Sequence, residues 1–266
     1  MEKNTDMKRV DLILVKHERK IGEACEYIEP NVNEDCIFYV DDEPIGFYMT
    51  NMPGKMCKLA DLANAEFRSK NVPKTEMARG VSSEMMAKGI KNKLSQYSTI
   101  LGSVPPKPHF QRPYAQRSSV HGVKTAQTFI KAMLLLAKES EQLIKELLPK
   151  QYEAQIELFK EVPEKWRFGN LFTSSISNYN ISAPFHRDTG NIVGAVNVII
   201  CKKHNSKGGD LHVPDYNATI GQQDNSILVY PAWRNVHGVT PIIPIHKDGY
   251  RNSLIFYPLK AFKNLD

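Results

Sequence analysis

The stretch APFHRDTGN, residues 183–191, sets a histidine and a carboxylate two positions apart, His186 and Asp188. Apolar residues lead into the triplet and Thr189-Gly190 follow it, so it reads as a strand end running into a turn. Side chains at i and i+2 of a strand point to the same side, so both donors can reach one ion. By itself the H-x-D pattern is common by chance. His237, in AWRNVHGVTPI, supplies a third donor about 50 residues on, at the start of an expected strand. Two histidines and one carboxylate leave coordination positions open, as in the facial triad of non-haem Fe(II) oxygenases, where a bidentate co-substrate and dioxygen must both reach the metal. A zinc hydrolase can use the same donors.

Residues nearer the C-terminus favour iron. Arg251 and Ser253, in GYRNSLIFYPL, share one face if residues 250–258 form a strand. A planar guanidinium fork beside a hydroxyl suits the distal carboxylate of 2-oxoglutarate, whose keto acid end would chelate the iron. Taken alone, Arg251 would read as a surface ion pair. The order H-x-D, then histidine, then R-x-S is what makes the oxygenase reading specific.

These residues need a scaffold of strands. From Phe172 onward, short runs rich in Val, Ile, Tyr and Phe alternate with Gly, Asn and Pro, and strands are expected near 172–181, 192–201, 209–213, 226–230, 236–243 and 250–258. Short strands punctuated in this way indicate a jelly roll. Before them, Thr125 opens an amphipathic helix that runs to Pro149, and a second helix spans about 150–161. Further upstream, Val10–Val15 and a hairpin over Cys36–Met49 read as strands, with short helices near Leu59–Ser69 and Ser82–Ser95. The four prolines of residues 102–119 make that stretch extended or looped. The expected class is α+β: a double-stranded β-helix (jelly-roll) core with flanking helices and an N-terminal β-containing extension. Residues 1–98 are that extension, residues 99–266 the jelly-roll domain, packed as one compact unit.

Composition narrows the setting. The 266 residues carry 41% hydrophobic side chains and no apolar run long enough for a membrane span. The first twenty residues mix charges of both signs and lack the core of a secretory signal, so a cytosolic protein is expected. The four cysteines show no metal-binding spacing and read as reduced thiols. A net charge of +6 and a pI near 9.0 suit a polyanionic partner. Nine Lys or Arg residues and no Asp or Glu lie between Lys88 and Lys138, a segment expected to contact nucleic acid.

The segments FTSSISNYNISAPFHRDTGN, GGDLHVPDY, HGVTPI and GYRNSLIFY together resemble the TET/JBP branch of 2-oxoglutarate- and Fe(II)-dependent dioxygenases, which oxidise the 5-methyl group of pyrimidines in DNA. The likeness covers roughly residues 100–262, and the chain is similar in size to compact bacteriophage members. The resemblance implies Fe(II), 2-oxoglutarate and O2 as cofactors and a flipped 5-methylpyrimidine in DNA as substrate, with no membrane and a monomer favoured. It implies iron ligation by His186, Asp188 and His237, and co-substrate binding by Arg251 and Ser253. Asn191 stands where the family contacts the base and Tyr257 where an aromatic ring stacks on it; without the family these are a turn-forming Asn and a half-buried strand Tyr. A second co-substrate arginine comes from before the barrel in the family, and Arg117 or Arg112 could supply it. Arg117 is the choice for the co-substrate and Arg112 for the substrate.

The chain departs from the family at Leu259, where TET enzymes carry a histidine that helps hold cytosine. The reading is therefore 5-methylcytosine hydroxylation with thymine as the alternative, or the same iron chemistry on a nucleotide, RNA or protein. A non-catalytic DNA-binding module would need a dead site, and the ligand set is intact. His204 and His212 read as loop and strand surface residues, His109 and His121 as phosphate contacts, Gly208-Gly209 as a turn, and Trp233 as core or pocket wall.

Overall fold

The computed structural model describes residues 7–77, 94–107 and 112–265; His109 and nearly all of the helix expected near Ser82–Ser95 lie outside the described residues. The strands described are β1 Lys8–Asp11, β2 Cys36–Val40, β3 Glu43–Met49, β4 Thr75–Met77, β5 Gln96–Val104, β6 Gln116–Arg117, β7 Ser174–Tyr179 and β8 Ala183–His186. They continue with β9 Asn197–His204, β10 Ser206–Gly208, β11 Leu211–Val213, β12 Ala218–Ile220, β13 Ile227–Tyr230, β14 His237–Val239, β15 Ile242–Pro244 and β16 Tyr250–Tyr257. The helices are α1 Gly54–Arg68, α2 Gln127–Leu147 and α3 Pro149–Phe159. The last starts on proline, whose missing N–H is no loss in a first turn.

Two sheets face each other. The larger runs β1-β2-β3-β13-β9-β16-β7-β5-β4 and the smaller β12-β11-β14-β8. This is the jelly-roll arrangement with flanking helices. Its outer helical layer follows from the period-two alternation of the long strands. On β9 and β16, Val198, Ile200, Leu254 and Phe256 face outward into a core shared with Phe67 of α1 and Phe129, Met133 and Leu136 of α2. Full burial of each such side chain contributes about 1.5–3 kcal/mol. The intervening residues Asn197, Ile199, Arg251, Ser253, Ile255 and Tyr257 face the space between the sheets.

The N-terminal residues are built into this framework. β2 and β3 join through Asp41 and Asp42, both at positive φ (50° and 62°), and β3 pairs with β13 in the larger sheet. The strand expected at Val10–Val15 is Lys8–Asp11 instead: parallel pairing ends at Asp11 opposite Tyr39, and Ile13 and Leu14 are left exposed. Residues 15–25 then cover the outer face of the smaller sheet. The Val15 N–H donates to the Asp215 carbonyl, the Gly22 N–H to Phe185, and Cys25 packs where a side chain on Gly238 would stand. This cover buries His212, which bonds Thr219 Oγ1 at 2.8 Å; the expectation of a surface position is corrected. The strand β5 has no counterpart among the expected elements. Its residues, QYSTILGSV, are rich in Ser and Thr that pair across a buried strand and carry no apolar alternation.

The described part of the basic segment does not form one face. Arg112 and Arg117 are tied to the carbonyls of Pro105 and Arg167, while Lys131 and Lys138 are exposed on α2, which covers the outside of the larger sheet. His121 accepts the Gly102 N–H at 2.8 Å through Nε2, which ties the turn after β6 to β5, and burial followed by the charge of Arg117 lowers its pKa. All four cysteines are free thiols. Among the described residues no helix is long and apolar enough to cross a membrane.

Candidate active site

Pairing of β8 with β14 sets His186 directly opposite His237, with ring centroids 4.4 Å apart. Asp188 follows β8 in the turn that the H-x-D stretch suggested, and its N–H donates to the Ala232 carbonyl. One donor atom from each of His186, Asp188 and His237 lies within 4.8 Å of the others.

The ring nitrogens are assigned by their neighbours. His186 Nδ1 lies 2.7 Å from the Pro184 carbonyl and His237 Nδ1 lies 3.0 Å from that of Asn235. A carbonyl can only accept, so both protons sit on Nδ1 and both Nε2 lone pairs are free for an ion. Burial lowers the His237 pKa, which keeps its ring neutral. Asp188 is held from behind: Asn197 Nδ2 donates to its Oδ2 at 3.1 Å, and Asn191 Nδ2 donates to Asn197 Oδ1 at 2.8 Å. Oδ1 stays on the histidine side, 3.5 Å from His186 Nε2. Outer partners of this kind fix ligand orientation. Asn197 and the Asn235 carbonyl carry no signal in the sequence, because neither residue type nor spacing marks them as partners of a metal ligand, although both are close to it along the chain.

The triad borders a cavity of about 310 Å³ between the sheets, which Asn191, Arg251, Ser253, Tyr257 and Leu259 also line. Arg251 is 3% exposed, and its Nε has no hydrogen-bond partner. Its backbone is fixed by Asn180, whose Oδ1 accepts the Arg251 N–H at 3.0 Å. Gly208, expected in a turn, instead ends β10, and Gly209 follows in the connection to β11, both at positive φ (+74° and +72°). Gly209 has a second role: a Cβ there would stand 2.5 Å from Arg251 Cδ, so only glycine lets the chain pass beside the guanidinium stem. Tyr257 is half-buried, and desolvation of its hydroxyl raises that group's pKa strongly. Leu259 bridges to Asn191 at the cavity edge, and Trp233 donates to the Ala195 carbonyl. Arg112 and Arg117 are not brought to this cavity.

The donor set fits a ferrous ion with open positions. The orphaned guanidinium nitrogen fits an anionic ligand of the cavity, because a buried donor without a partner is costly. His186, Asp188 and His237 could therefore hold the metal, and Arg251 with Ser253 the co-substrate.

The Tet_JBP family model, described as the oxygenase domain of the 2OGFeDO superfamily, matches residues 107–260. No curated relative matches the sequence. Among solved structures, NgTET1 in complex with 5mC DNA superposes with a TM-score of 0.60 at 14% identity, over 97% of this chain and 84% of that one. Looser overlaps are found with OsALKBH1 (TM-score 0.42, 13% identity, 87% and 100% of the two chains) and with a 2OG-Fe(II) oxygenase-family oxidoreductase from Burkholderia pseudomallei (0.44, 12%, 80% and 84%). With the family model spanning more than half of its length, the chain belongs to the TET/JBP oxygenase family of the 2-oxoglutarate- and Fe(II)-dependent dioxygenase superfamily, whose cofactors are Fe(II), 2-oxoglutarate and O2.

Proposed function

We propose that the protein hydroxylates the 5-methyl group of 5-methylcytosine in DNA. His186, Asp188 and His237 bind the iron, and Arg251 and Ser253 take the far carboxylate of 2-oxoglutarate. Asn191 and Tyr257 hold the base. The observation that carries the reading is a cavity between the sheets that joins three converging metal donors to an unpartnered arginine nitrogen. The likeness to NgTET1, itself in complex with 5mC DNA, supports the choice of substrate.

When bound, iron with 2-oxoglutarate and O2 supplies the oxidising power: one oxygen atom enters the methyl C–H bond, the other enters succinate, and CO2 leaves. The chain's own groups bind and orient. The Nδ1 protons on the Pro184 and Asn235 carbonyls fix both imidazole planes. Asn191 and Asn197 hold the Asp188 carboxylate. The Tyr257 ring offers a stacking face and Asn191 Oδ1 an acceptor for the base, the Nδ2 being engaged with Asn197. The cavity lies between the sheets, out of reach of a stacked base, so the target nucleotide is extruded at a cost of a few kcal/mol. Arg187 and Lys260 are exposed beside the cavity's edge, next to His186 and Leu259, and suit the flanking phosphates.

Thymine is the second reading, because Leu259 places an apolar side chain at the cavity wall beside Asn191. Mass spectrometry of nucleosides from DNA containing both 5-methylcytosine and thymine, incubated with enzyme, Fe(II) and 2-oxoglutarate, separates the two. The expected product is 5-hydroxymethylcytosine. 5-Hydroxymethyluracil instead would move the assignment to thymine, and unchanged nucleosides would count against both. His186→Ala is expected to abolish product.

A further inference from the structure

We propose that Gln222 is a co-substrate-positioning residue, its side-chain amide donating to the distal carboxylate of 2-oxoglutarate beside Arg251. The inference deepens the proposed function and rests on its placement of the co-substrate at Arg251.

Gln222 follows β12 and is 1% exposed. Its backbone is fully committed. The Gln222 N–H donates to Asp210 Oδ1 at 2.8 Å, and the Cys201 thiol lies 3.6 Å from the Gln222 carbonyl. The preceding residue is pinned as well, with the Gly221 N–H on the Val32 carbonyl and the Tyr48 hydroxyl on the Gly221 carbonyl. Against this rigid frame the side chain is an exception: both Nε2 and Oε1 are buried and neither has a partner. A buried amide left in that state is unfavourable, and a folded chain retains it where something else completes its hydrogen bonds.

Position identifies an acceptor for Nε2. Gln222 lines the same cavity as the metal donors and Arg251. Cys201, which touches the Gln222 carbonyl, is the cross-strand partner of Ser253, and Lys203 that of Arg251. Gly209, against the Arg251 stem, adjoins the Asp210 that holds the Gln222 N–H. The amide therefore belongs to the Arg251 and Ser253 end of the cavity, where the unpartnered guanidinium Nε also lies. An arginine nitrogen and an amide NH2 at one closed end form a donor set for a carboxylate. Among the described residues, the other buried orphans, on Ser175, Ser177 and Asn252, are not cavity residues.

The test is calorimetric titration of the manganous protein, without DNA, with 2-oxoglutarate and with 2-oxopentanoate, a keto acid of equal chain length lacking the distal carboxylate. Gln222→Met keeps length and volume and removes the donors. It is expected to weaken 2-oxoglutarate about ten-fold or more and to leave 2-oxopentanoate within two-fold, while the ligand-free protein melts at the same or a higher temperature. Gln222→Glu, which sets like charges together, is expected to bind 2-oxoglutarate more weakly still. Unchanged 2-oxoglutarate affinity in Gln222→Met, or equal weakening of both keto acids, overturns the assignment. Because no DNA is present, the outcome is independent of which base the enzyme oxidises.

Discussion

At the scale of single residues, the site depends on groups that each keep one atom uncommitted. The two histidines engage carbonyls through Nδ1, Asp188 engages Asn197 through Oδ2, and Arg251 leaves Nε without a partner. Gly209 has the most demanding steric role, since any Cβ at φ +72° both strains the backbone and meets Arg251 Cδ and Nε at 2.5 and 2.9 Å. Gly209→Ala is expected to raise the KM for 2-oxoglutarate about ten-fold or more by displacing the guanidinium, with little change in the affinity for metal alone. Steady-state kinetics over a range of 2-oxoglutarate, with metal titration alongside, measures the split. His186 with Asp188 and Arg251 with Ser253 are legible in the sequence as pairs two positions apart, and His237 by its place in order between them, although only the pairing of β8 with β14 brings it to His186. Gln222, Asn197 and the carboxylate-holding part of Asn191 are not, since no spacing marks an amide as the partner of Asp188 and Gln222 joins the cavity only through the fold.

At the scale of elements, the expected strands after Phe172 largely recur, yet the pieces that aim the site come from short strands and connections. β8, four residues long, shows only as the strand end before Asp188, β14 and β15 merge into one expected run over 236–243, and β5 is hidden by its serines and threonines. A connection between elements also supports His237. His17 Nε2 lies 2.6 Å from Asp215 Oδ1, Asp215 Oδ2 accepts Asn235 Nδ2 at 2.5 Å, and the Asn235 carbonyl receives His237 Nδ1. Burial would raise the Asp215 pKa, but the hydrogen bonds from Asn235 and His17 outweigh it and the net shift is downward. A carboxyl depressed on folding stabilises the fold above its unfolded pKa, near 3.9, and the gain is lost as pH falls through the folded value. Asp215→Asn is expected to lower thermal stability at pH 7 and to shrink the loss of stability below about pH 4. It is also expected to weaken metal binding by loosening Asn235. Melting curves across pH with and without Mn(II) measure both.

At the scale of the whole molecule, residues before the family match are structural members of the barrel, since β2 and β3 complete the larger sheet and residues 15–25 cover the smaller one. Their role is the least legible part of the sequence: nothing in a charged N-terminal stretch announces which sheet edge it will join. The net charge of +6 suits the polyanionic partner of the proposed function, although the described part of the basic segment is dispersed and α2 turns its lysines away from the cavity. Charges at the mouth are then expected to matter more than total charge. Arg187→Ala with Lys260→Ala should weaken binding of methylated duplex and reduce the slope of log K against log salt by up to about 1.8, at roughly 0.9 for each phosphate no longer neutralised. Salt-dependent binding isotherms read this directly. The central claim, one ferrous site facing one keto diacid inside the barrel, is tested most directly by anomalous diffraction from crystals grown with Mn(II) and 2-oxoglutarate. A single strong peak bonded to His186, Asp188 and His237, with the diacid extending from it to Arg251, is the result expected. Metal bound elsewhere, or a diacid that does not reach Arg251, would contradict it.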